Sequence, residues 1–305
     1  MADAAQSIGE EARAYAELAD RGVLRIAGKD RGAFLQGLVS NDINKVGPDR
    51  AIYAALLSAQ GKYLHDFFIV EIGGALFLDA EAARLNDLKR RLLLYKLRAT
   101  VEIVDASEQF VVAALFGDDA LSACGLPPQP GAAKRLGNGA LYVDPRLAAL
   151  GARLMLPRGE PLSITAFSKS DSTAYDRLRL SLGVPDGSRD LAVDKAILLE
   201  AGFDELNGVD WQKGCYVGQE LTARTKYRGL IKKRLVPVAI EGAMPAPGSP
   251  VMLGTRDAGE MRSGRDGIGI ALLRLEALDE SLSTGEPLIA GETRLRPRKP
   301  DWASF

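Results

Sequence analysis

The apolar period of this chain switches between two and about 3.6 residues in a set order, and that order limits the folds open to it. Short alternating runs at Val23–Ile26 and Ala51–Leu57 predict strands, and Phe67–Ile72 and Ala75–Asp79, joined through Gly73-Gly74, predict a hairpin. Between the first two strands, Asp30–Val39 places Phe34, Leu35 and Leu38 at helical spacing. Glu81–Leu97 carries Leu85, Leu88, Leu92 and Tyr95 on one stripe, and a strand at Thr100–Val104 follows. Strand, helix, strands, helix, strand is the order of a split βαβ unit of ferredoxin-like type.

The same order recurs in strand Gln109–Phe116, a short helix from Asp118, strands Ala140–Val143 and Arg153–Leu156, and helix Ser172–Leu182, so two related α+β units are expected. After Leu230 the texture changes. Leu235–Ile240, Pro250–Leu253, Gly267–Leu275, Pro287–Ala290 and Thr293–Arg296 are short strand-like runs parted by Gly, Pro and charged turns, which predicts a small β-barrel or sandwich. Gly242–Pro250 reads as a loop inside this last domain, because strand-like sequence begins before it. The expected domains are 1–106, 107–229 and 230–305.

Composition narrows the chemistry. With 39 Lys+Arg against 40 Asp+Glu the net charge is -1, which disfavours bulk binding of nucleic acid while leaving room for a local basic patch. One histidine, His65, and two cysteines, Cys124 and Cys215, cannot build a multi-His zinc site, a self-contained four-Cys cluster site or a disulfide framework. Even the apolar stretch Phe67–Ala80 is broken by Glu71 and Asp79, so no membrane helix is expected. The acidic N-terminus MADAAQSIGEEARAYAELAD does not read as a signal peptide, and with so few cysteines the expected compartment is cytoplasmic. Gly267-Ile268-Gly269 lacks the third glycine of a dinucleotide fingerprint, and no Walker or nucleophile-elbow sequence is present.

The densest run of functional side chains lies in Asp186–Gly229, centred on Asp210-Trp211-Gln212-Lys213-Gly214-Cys215-Tyr216-Val217-Gly218-Gln219-Glu220. Two readings of Cys215 are open: a buried small hydrophobe, or a nucleophile or transient metal ligand whose thiolate is favoured by Lys213 and the basic residues downstream. Those basic residues, Arg224, Lys226, Arg228, Lys232, Lys233 and Arg234, are a solvated strand face or an anion-binding patch. His65-Asp66 is either a turn residue with a strand cap or a site in which Asp66 holds a cationic or amine-bearing ligand. Asn41-Asp42 is either a helix stop or part of that same site.

The run Lys213-Gly214-Cys215-Tyr216-Val217-Gly218-Gln219-Glu220, continuing through Leu221-Thr222-Ala223-Arg224 to Tyr227-Arg228-Gly229, resembles the signature of the YgfZ proteins, including the mitochondrial iron-sulfur assembly factors related to them. Phe34–Ile43, Leu56–Asp66 and Arg177–Gly183 resemble further stretches of the same family, which belongs with the glycine-cleavage T-protein aminomethyltransferases. The resemblance implies an α+β aminomethyltransferase folate-binding fold, with two ferredoxin-like units and a C-terminal β-barrel arranged as a three-domain ring around a central folate site. It implies that Cys215 and Asp66 carry the chemistry. It also implies that tetrahydrofolate or a derivative is held by Asn41, Asp42, Asp66, Arg179, Lys213, Gln219, Glu220 and Arg224, with no permanently bound metal.

Two departures bear on activity. His65 stands at the first position of the T-protein's Asp pair, and Arg179-Leu180-Ser181 puts serine where the T-protein's Arg-Leu-Glu supplies a carboxylate to the pterin. The implied function is therefore a tetrahydrofolate-binding accessory protein in the assembly or repair of 4Fe-4S clusters in client enzymes, radical-SAM tRNA-modifying enzymes and dehydratases among them. Its implied partners are folate and iron-sulfur client or assembly proteins, with tRNA involved only indirectly and no membrane. The alternative is a folate-dependent one-carbon (aminomethyl) transferase.

Overall fold

Three sheets take up the hydrophobic pattern, and most of their strands come from the short apolar runs of the sequence. The computed structural model describes residues 13–161 and 164–305. The first twelve residues, on which the leader-peptide reading partly rests, lie outside the described residues. The N-terminal half gives strands β1 (Ala14–Glu17) and β2 (Arg21–Ala27), helix α1 (Arg31–Gln36), strands β3 (Ile52–Leu57), β4 (Tyr63–Ile72) and β5 (Ala75–Glu81), helix α2 (Leu85–Lys96) and strand β6 (Glu102–Asp105). One sheet has the order β3-β4-β5-β2-β6. Its β4–β5 hairpin turns through Gly73 and Gly74, both at positive φ, and α2 buries Leu85, Leu88 and Leu92, whereas Tyr95 of the expected stripe is exposed.

Strand β4 begins at Tyr63, four residues before the expected start, so His65 and Asp66 lie inside the strand and both are buried. The turn-and-cap reading of this pair is thereby corrected. Polar residues within a strand obscure the apolar period, and burial of Asp66 is tolerable because its carboxylate is hydrogen-bonded.

The next stretch supplies β7 (Phe110–Phe116), the short helix α3 (Ala120–Ala123), β8 (Ala133–Leu136), β9 (Gly139–Val143), β10 (Ala152–Pro157) and β11 (Ser168–Lys169). They form a six-stranded sheet of order β11-β1-β7-β10-β9-β8, with β1 antiparallel to β7 and parallel to β11. β1 and β11 are four and two residues long, too short to show a period. Helices α4 (Ser172–Ser181), α5 (Gly187–Asp190) and α6 (Gln219–Tyr227) follow.

The C-terminal texture resolves into a closed barrel of order β12-β15-β14-β13-β16-β17, with strands β12 (Lys233–Glu241), β13 (Pro250–Leu253), β14 (Arg256–Arg265), β15 (Ile268–Arg274), β16 (Leu288–Ala290) and β17 (Thr293–Pro297). Val236, Val238, Val251, Leu273, Leu288 and Leu295 fill its core. β14 escapes the sequence reading because its alternation is carried by charged and small residues: Ala258, Met261 and Ser263 are buried while Arg256 and Asp257 are exposed. The expected strand Gly267–Leu275 ends at Arg274, where helix α7 (Leu275–Thr284) begins and buries Ala277 and Leu278. Among the described residues no helix is long and apolar enough to cross a membrane.

Within the described residues the chain makes two compact units. One takes in residues 13–31, Lys45–Ile52 and Phe68–Tyr175, the other Gly32–Asn44, Tyr53–Phe67 and Asp176–Phe305. The first unit buries an unusual set of charges around the ring of Phe68. Asp79, which interrupts an apolar strand, accepts hydrogen bonds from Arg21 Nε at 2.6 Å and from Arg153 Nη2 at 2.6 Å. Asp144 accepts from Arg146 Nη2 at 2.8 Å and from the Tyr175 hydroxyl at 3.2 Å. The guanidinium carbons of Arg153, Arg146 and Arg21 lie 4.0, 4.9 and 5.6 Å from the Phe68 ring centre, within cation–π range. Burial alone would raise the Asp79 carboxyl, but the charges of Arg153 and Arg21 outweigh it and hold the group below its ordinary value.

Arg153→Ala leaves the buried Asp79 with Arg21 as its one remaining guanidinium partner and is expected to cost about 3 kcal/mol in urea unfolding at pH 7. Because the folded Asp79 titrates below its ordinary 3.8, its stabilising share is complete above that value and disappears as pH falls through the folded value. Wild type and variant should therefore converge in acid, and an unchanged gap there would contradict the assignment.

Candidate functional site

A short helix leaves its last carbonyls without helical partners, and in the second unit a single side chain supplies the missing donors. Lys213 Nζ donates to Gln36 O at 2.8 Å, Val39 O at 2.5 Å and Asn41 O at 2.8 Å, around the turn that ends α1. An ammonium has three N–H groups, and all three are used here. The backbone of Lys213 is held in turn by Asp210, whose Oδ1 accepts from the amides of Gln212 at 2.7 Å and Lys213 at 3.1 Å. Burial lowers the Lys213 pKa to about 8 against the opposing pull of Asp42 and Asp210. The Lys213 ammonium, expected to hold folate, is thus turned onto the backbone around the end of α1, with all three N–H groups given to carbonyls.

Further bonds tie the same segments together. Ser40 Oγ donates to Gly208 O at 2.6 Å and accepts from the amide of Ala55 at 2.8 Å, while the amide of Asp210 donates to Ser40 O at 3.0 Å. The amide of Val217 donates to Gly37 O at 3.1 Å. On this frame Lys213 and Tyr216 are buried, and Cys215 between them is exposed. Trp211 does not cover the thiol: its indole N–H donates to Asp204 Oδ1 at 2.6 Å, and Lys226 Nζ sits 4.2 Å from its ring centre. The second cysteine, Cys124, is buried, and burial raises its thiol pKa.

The C-terminal side of the cysteine loop is fixed by two glycines meeting. A Cβ on Gly218, whose φ is +81°, would stand 2.5 Å from Ser58 O and 2.8 Å from Leu57 Cβ; one on Gly61 would stand 2.5 Å from Leu221 Cβ. The turn between β3 and β4 thus packs directly on the start of α6, which is why both positions lack side chains.

Asp66 is 5% exposed and accepts from two tyrosines, Tyr53 OH to Oδ2 at 2.8 Å and Tyr63 OH to Oδ1 at 2.6 Å. Tyr53 stacks on Phe203 with ring centres 4.9 Å apart. Its carbonyl accepts from Asn41 Nδ2 at 2.7 Å, and the other N–H of that amide goes to Asn207 O at 2.8 Å. Asn41, Lys213 and Asp66 are thus brought into one network, with Asn41 spent on backbone. Asp42 Oδ1 accepts from Gln36 Nε2 at 2.9 Å and from the amide of Asn44 at 3.0 Å, which is turn chemistry.

Arg179 stands apart from this network. It is buried, and it donates to Asp176 Oδ1 at 2.7 Å, Asp190 Oδ2 at 2.6 Å and Ser263 Oγ at 2.8 Å. Ser181 Oγ donates to Leu178 O of its own helix at 2.8 Å. Gln219 opens α6, and Glu220 and Arg224 on that helix are exposed. The basic run is divided: Lys226 pairs with Asp204 at 2.7 Å and Arg234 with Glu205 at 3.1 Å, whereas Arg224, Arg228 and Lys232 face solvent. Sequence reasoning missed Tyr53 and Tyr63 as the partners of Asp66, and the available signal was a tyrosine hydroxyl in each of two otherwise buried strands, which requires a partner.

With this geometry established, comparison with known proteins gives the class. Residues 232–305 match the CAF17 C-terminal beta-barrel domain, and residues 9–123 match the GCVT N-terminal domain. The glycine cleavage system aminomethyltransferase T from Bartonella henselae superposes with a TM-score of 0.73 over 95% of this chain and 86% of its own, at 15% identity. The protein therefore has the aminomethyltransferase-like α+β fold with a C-terminal six-stranded barrel.

Similar at the sequence level are the mitochondrial iron-sulfur cluster assembly factors IBA57 of Mus musculus, 34% identical over 92% of this chain and 83% of the relative, and of Homo sapiens, 33% identical with the same coverage. The chain belongs to the IBA57 family. The family resemblance holds for the mitochondrial iron-sulfur assembly factors that it included, and these relatives are IBA57 factors, not YgfZ itself. The cytoplasmic expectation is overturned as well, because the animal and fungal relatives are mitochondrial by name. Cysteine usage reports redox conditions and does not distinguish one reducing compartment from another.

Lys213→Met leaves three carbonyls without their donor and is expected to cost at least about 3 kcal/mol, at roughly 1.5–3 kcal/mol for each bond to a charged group. Hydrogen exchange at the Val217 amide should accelerate with it, since that amide bonds Gly37 O beside the same turn. Unchanged exchange there would detach Lys213 from the cysteine loop.

Proposed function

We propose that this protein acts in the assembly or repair of 4Fe-4S clusters in client enzymes, with Cys215 presented as a single thiolate ligand to the cluster as cargo. The observation that carries the proposal is an exposed thiol on a loop whose backbone is held on both sides, by Lys213 and by the Gly61–Gly218 packing. The thiolate is the metal-binding form of cysteine, and a loop ordered in advance loses little entropy on engaging a partner. One cysteine supplies one of the four ligands a cubane cluster takes, so the client or a partner provides the others and the cargo is free to leave. The names of the IBA57 relatives support this reading. Radical-SAM tRNA-modifying enzymes and dehydratases are the proposed clients, which makes any link to tRNA indirect.

The fold is compatible with folate, which when bound supplies a carrier for one-carbon groups. The side chains fit it only in part. Asn41, Arg179 and Lys213 have their donors committed, and Ser181 gives no carboxylate to a pterin. Asp66 is the exception: a carboxylate offers about four lone-pair sites, and the two tyrosine hydroxyls occupy two of them. Asp66 is proposed to accept an N–H of tetrahydrofolate, in a site weaker than one with a glutamate at position 181. The missing acceptor makes an accessory role a better reading than aminomethyl transfer.

Complementation of a strain lacking its own family member should fail with Cys215→Ser, with 4Fe-4S enzyme activities lost at normal protein abundance. Full activity would return Cys215 to the role of a surface residue. In calorimetric titration with tetrahydrofolate, Asp66→Asn should weaken binding by roughly tenfold, the effect of losing one hydrogen bond to a charged group. Equal affinity would remove Asp66 from the folate reading.

A further inference from the structure

The second unit contains a cavity of about 310 Å³ that no part of the site above uses. Its size is at the lower end of the range for small-molecule pockets, roughly 300–1,000 Å³. Four cationic side chains line it: Lys62 from the β3–β4 turn, Lys195 from the segment after α5, Lys233 at the start of β12, and Arg262 on β14. Three carboxylates share the lining, and two of them are committed elsewhere. Asp190 accepts from Arg179 at 2.6 Å and from Ser263 Oγ at 2.6 Å, and Glu260 pairs with Arg262 Nη2 at 2.5 Å.

What remains is an excess of positive donors. Among the described residues, Lys62, Lys195 and Lys233 make no ion pair or side-chain hydrogen bond, and Arg262 Nε is a buried donor without a partner. The third carboxylate, Glu200, feels the charges of Lys233 and Lys62 and offsets one of the three lysine charges, so two positive charges remain. Leu191, Ile197, Leu235 and Leu272 supply an apolar wall. Lysines without carboxylate partners beside an orphaned guanidinium N–H call for an acceptor bearing negative charge, and the apolar wall calls for carbon between its charges.

We propose that this cavity binds a small organic dianion, two negative charges carried on a short carbon skeleton. Lys62 and Lys233 grip the charged ends, Lys195 attracts the ligand at the mouth, and Arg262 Nε donates the buried hydrogen bond. The proposal rests on the cavity alone and stands or falls independently of Cys215 and folate.

The test is isothermal titration of the full chain at low salt with glutarate and with glycerol 3-phosphate, using butyrate as the singly charged control. One or both dianions should bind at least roughly tenfold tighter than butyrate, and the stronger of the two tells carboxylate from phosphate chemistry. Lys62→Gln and Lys233→Gln should each weaken that binding by roughly tenfold, while Lys232→Gln, exposed and outside the lining, leaves it unchanged. Lys195→Gln, at an exposed position, repeats the test should circular dichroism show either of the other variants misfolded. The proposal is overturned if neither dianion binds in the millimolar range, or if the lysine variants bind as wild type does.

Discussion

The cysteine loop of this protein depends on one buried ammonium. Lys213 supplies a donor to the last carbonyl of a six-residue helix and two more to the turn that follows it, and in doing so joins residues 36–41 to residues 210–217, which are remote in sequence. Ser40 continues the join to β3 through the amide of Ala55, and Asn41 continues it through the carbonyl of Tyr53. A cation buried among carbonyl dipoles has no neutral substitute of the same reach, because three charge-assisted bonds converge on one atom. The thiol beside it is exposed because its neighbours on both sides are committed to the interior.

The same principle governs the other buried charges, and it separates structural from available groups. In the first unit, Arg21 and Arg153 neutralise Asp79 and Arg146 neutralises Asp144, with the Phe68 face adding a cation–π surface. In the second unit, Arg179, Arg189 and Arg265 converge on Asp176, whose carboxyl is pulled well below the ordinary range despite its burial. Of these arginines only Arg179 was expected to touch a ligand, and its guanidinium is held by Asp176, Asp190 and Ser263. Once the internal bonds are assigned, the groups with capacity to spare are Cys215, the remaining lone pairs of Asp66, and the lysines around the cavity.

The same division sorts the residues that the aminomethyltransferase-like fold carries. Within the aminomethyltransferase-like architecture Asp66 is held by two tyrosine hydroxyls, and Ser181 turns its hydroxyl back onto its own helix. The exposed thiol, Cys215, lies on a loop outside the regular strands and helices, where a partner can reach it. Loops held by a rigid scaffold are the usual place for such contacts.

Much of the fold was legible in the sequence because burial imposes a period. The hairpin at Gly73-Gly74, the stripe of α2 and the shift to short C-terminal strands all declared themselves in apolar spacing. Where charged or very short strands carried no such period, as in β14, β1 and β11, the reading failed. The residues able to do chemistry were also determined by the sequence alone, since a single histidine and two cysteines leave few choices. Which of them are free was decided only by the tertiary structure. A side chain's availability depends on whether its donors and acceptors are already satisfied by residues distant in sequence, and no local pattern records that Lys213 ends on the carbonyls of Gln36, Val39 and Asn41 while Cys215, two residues on, reaches solvent.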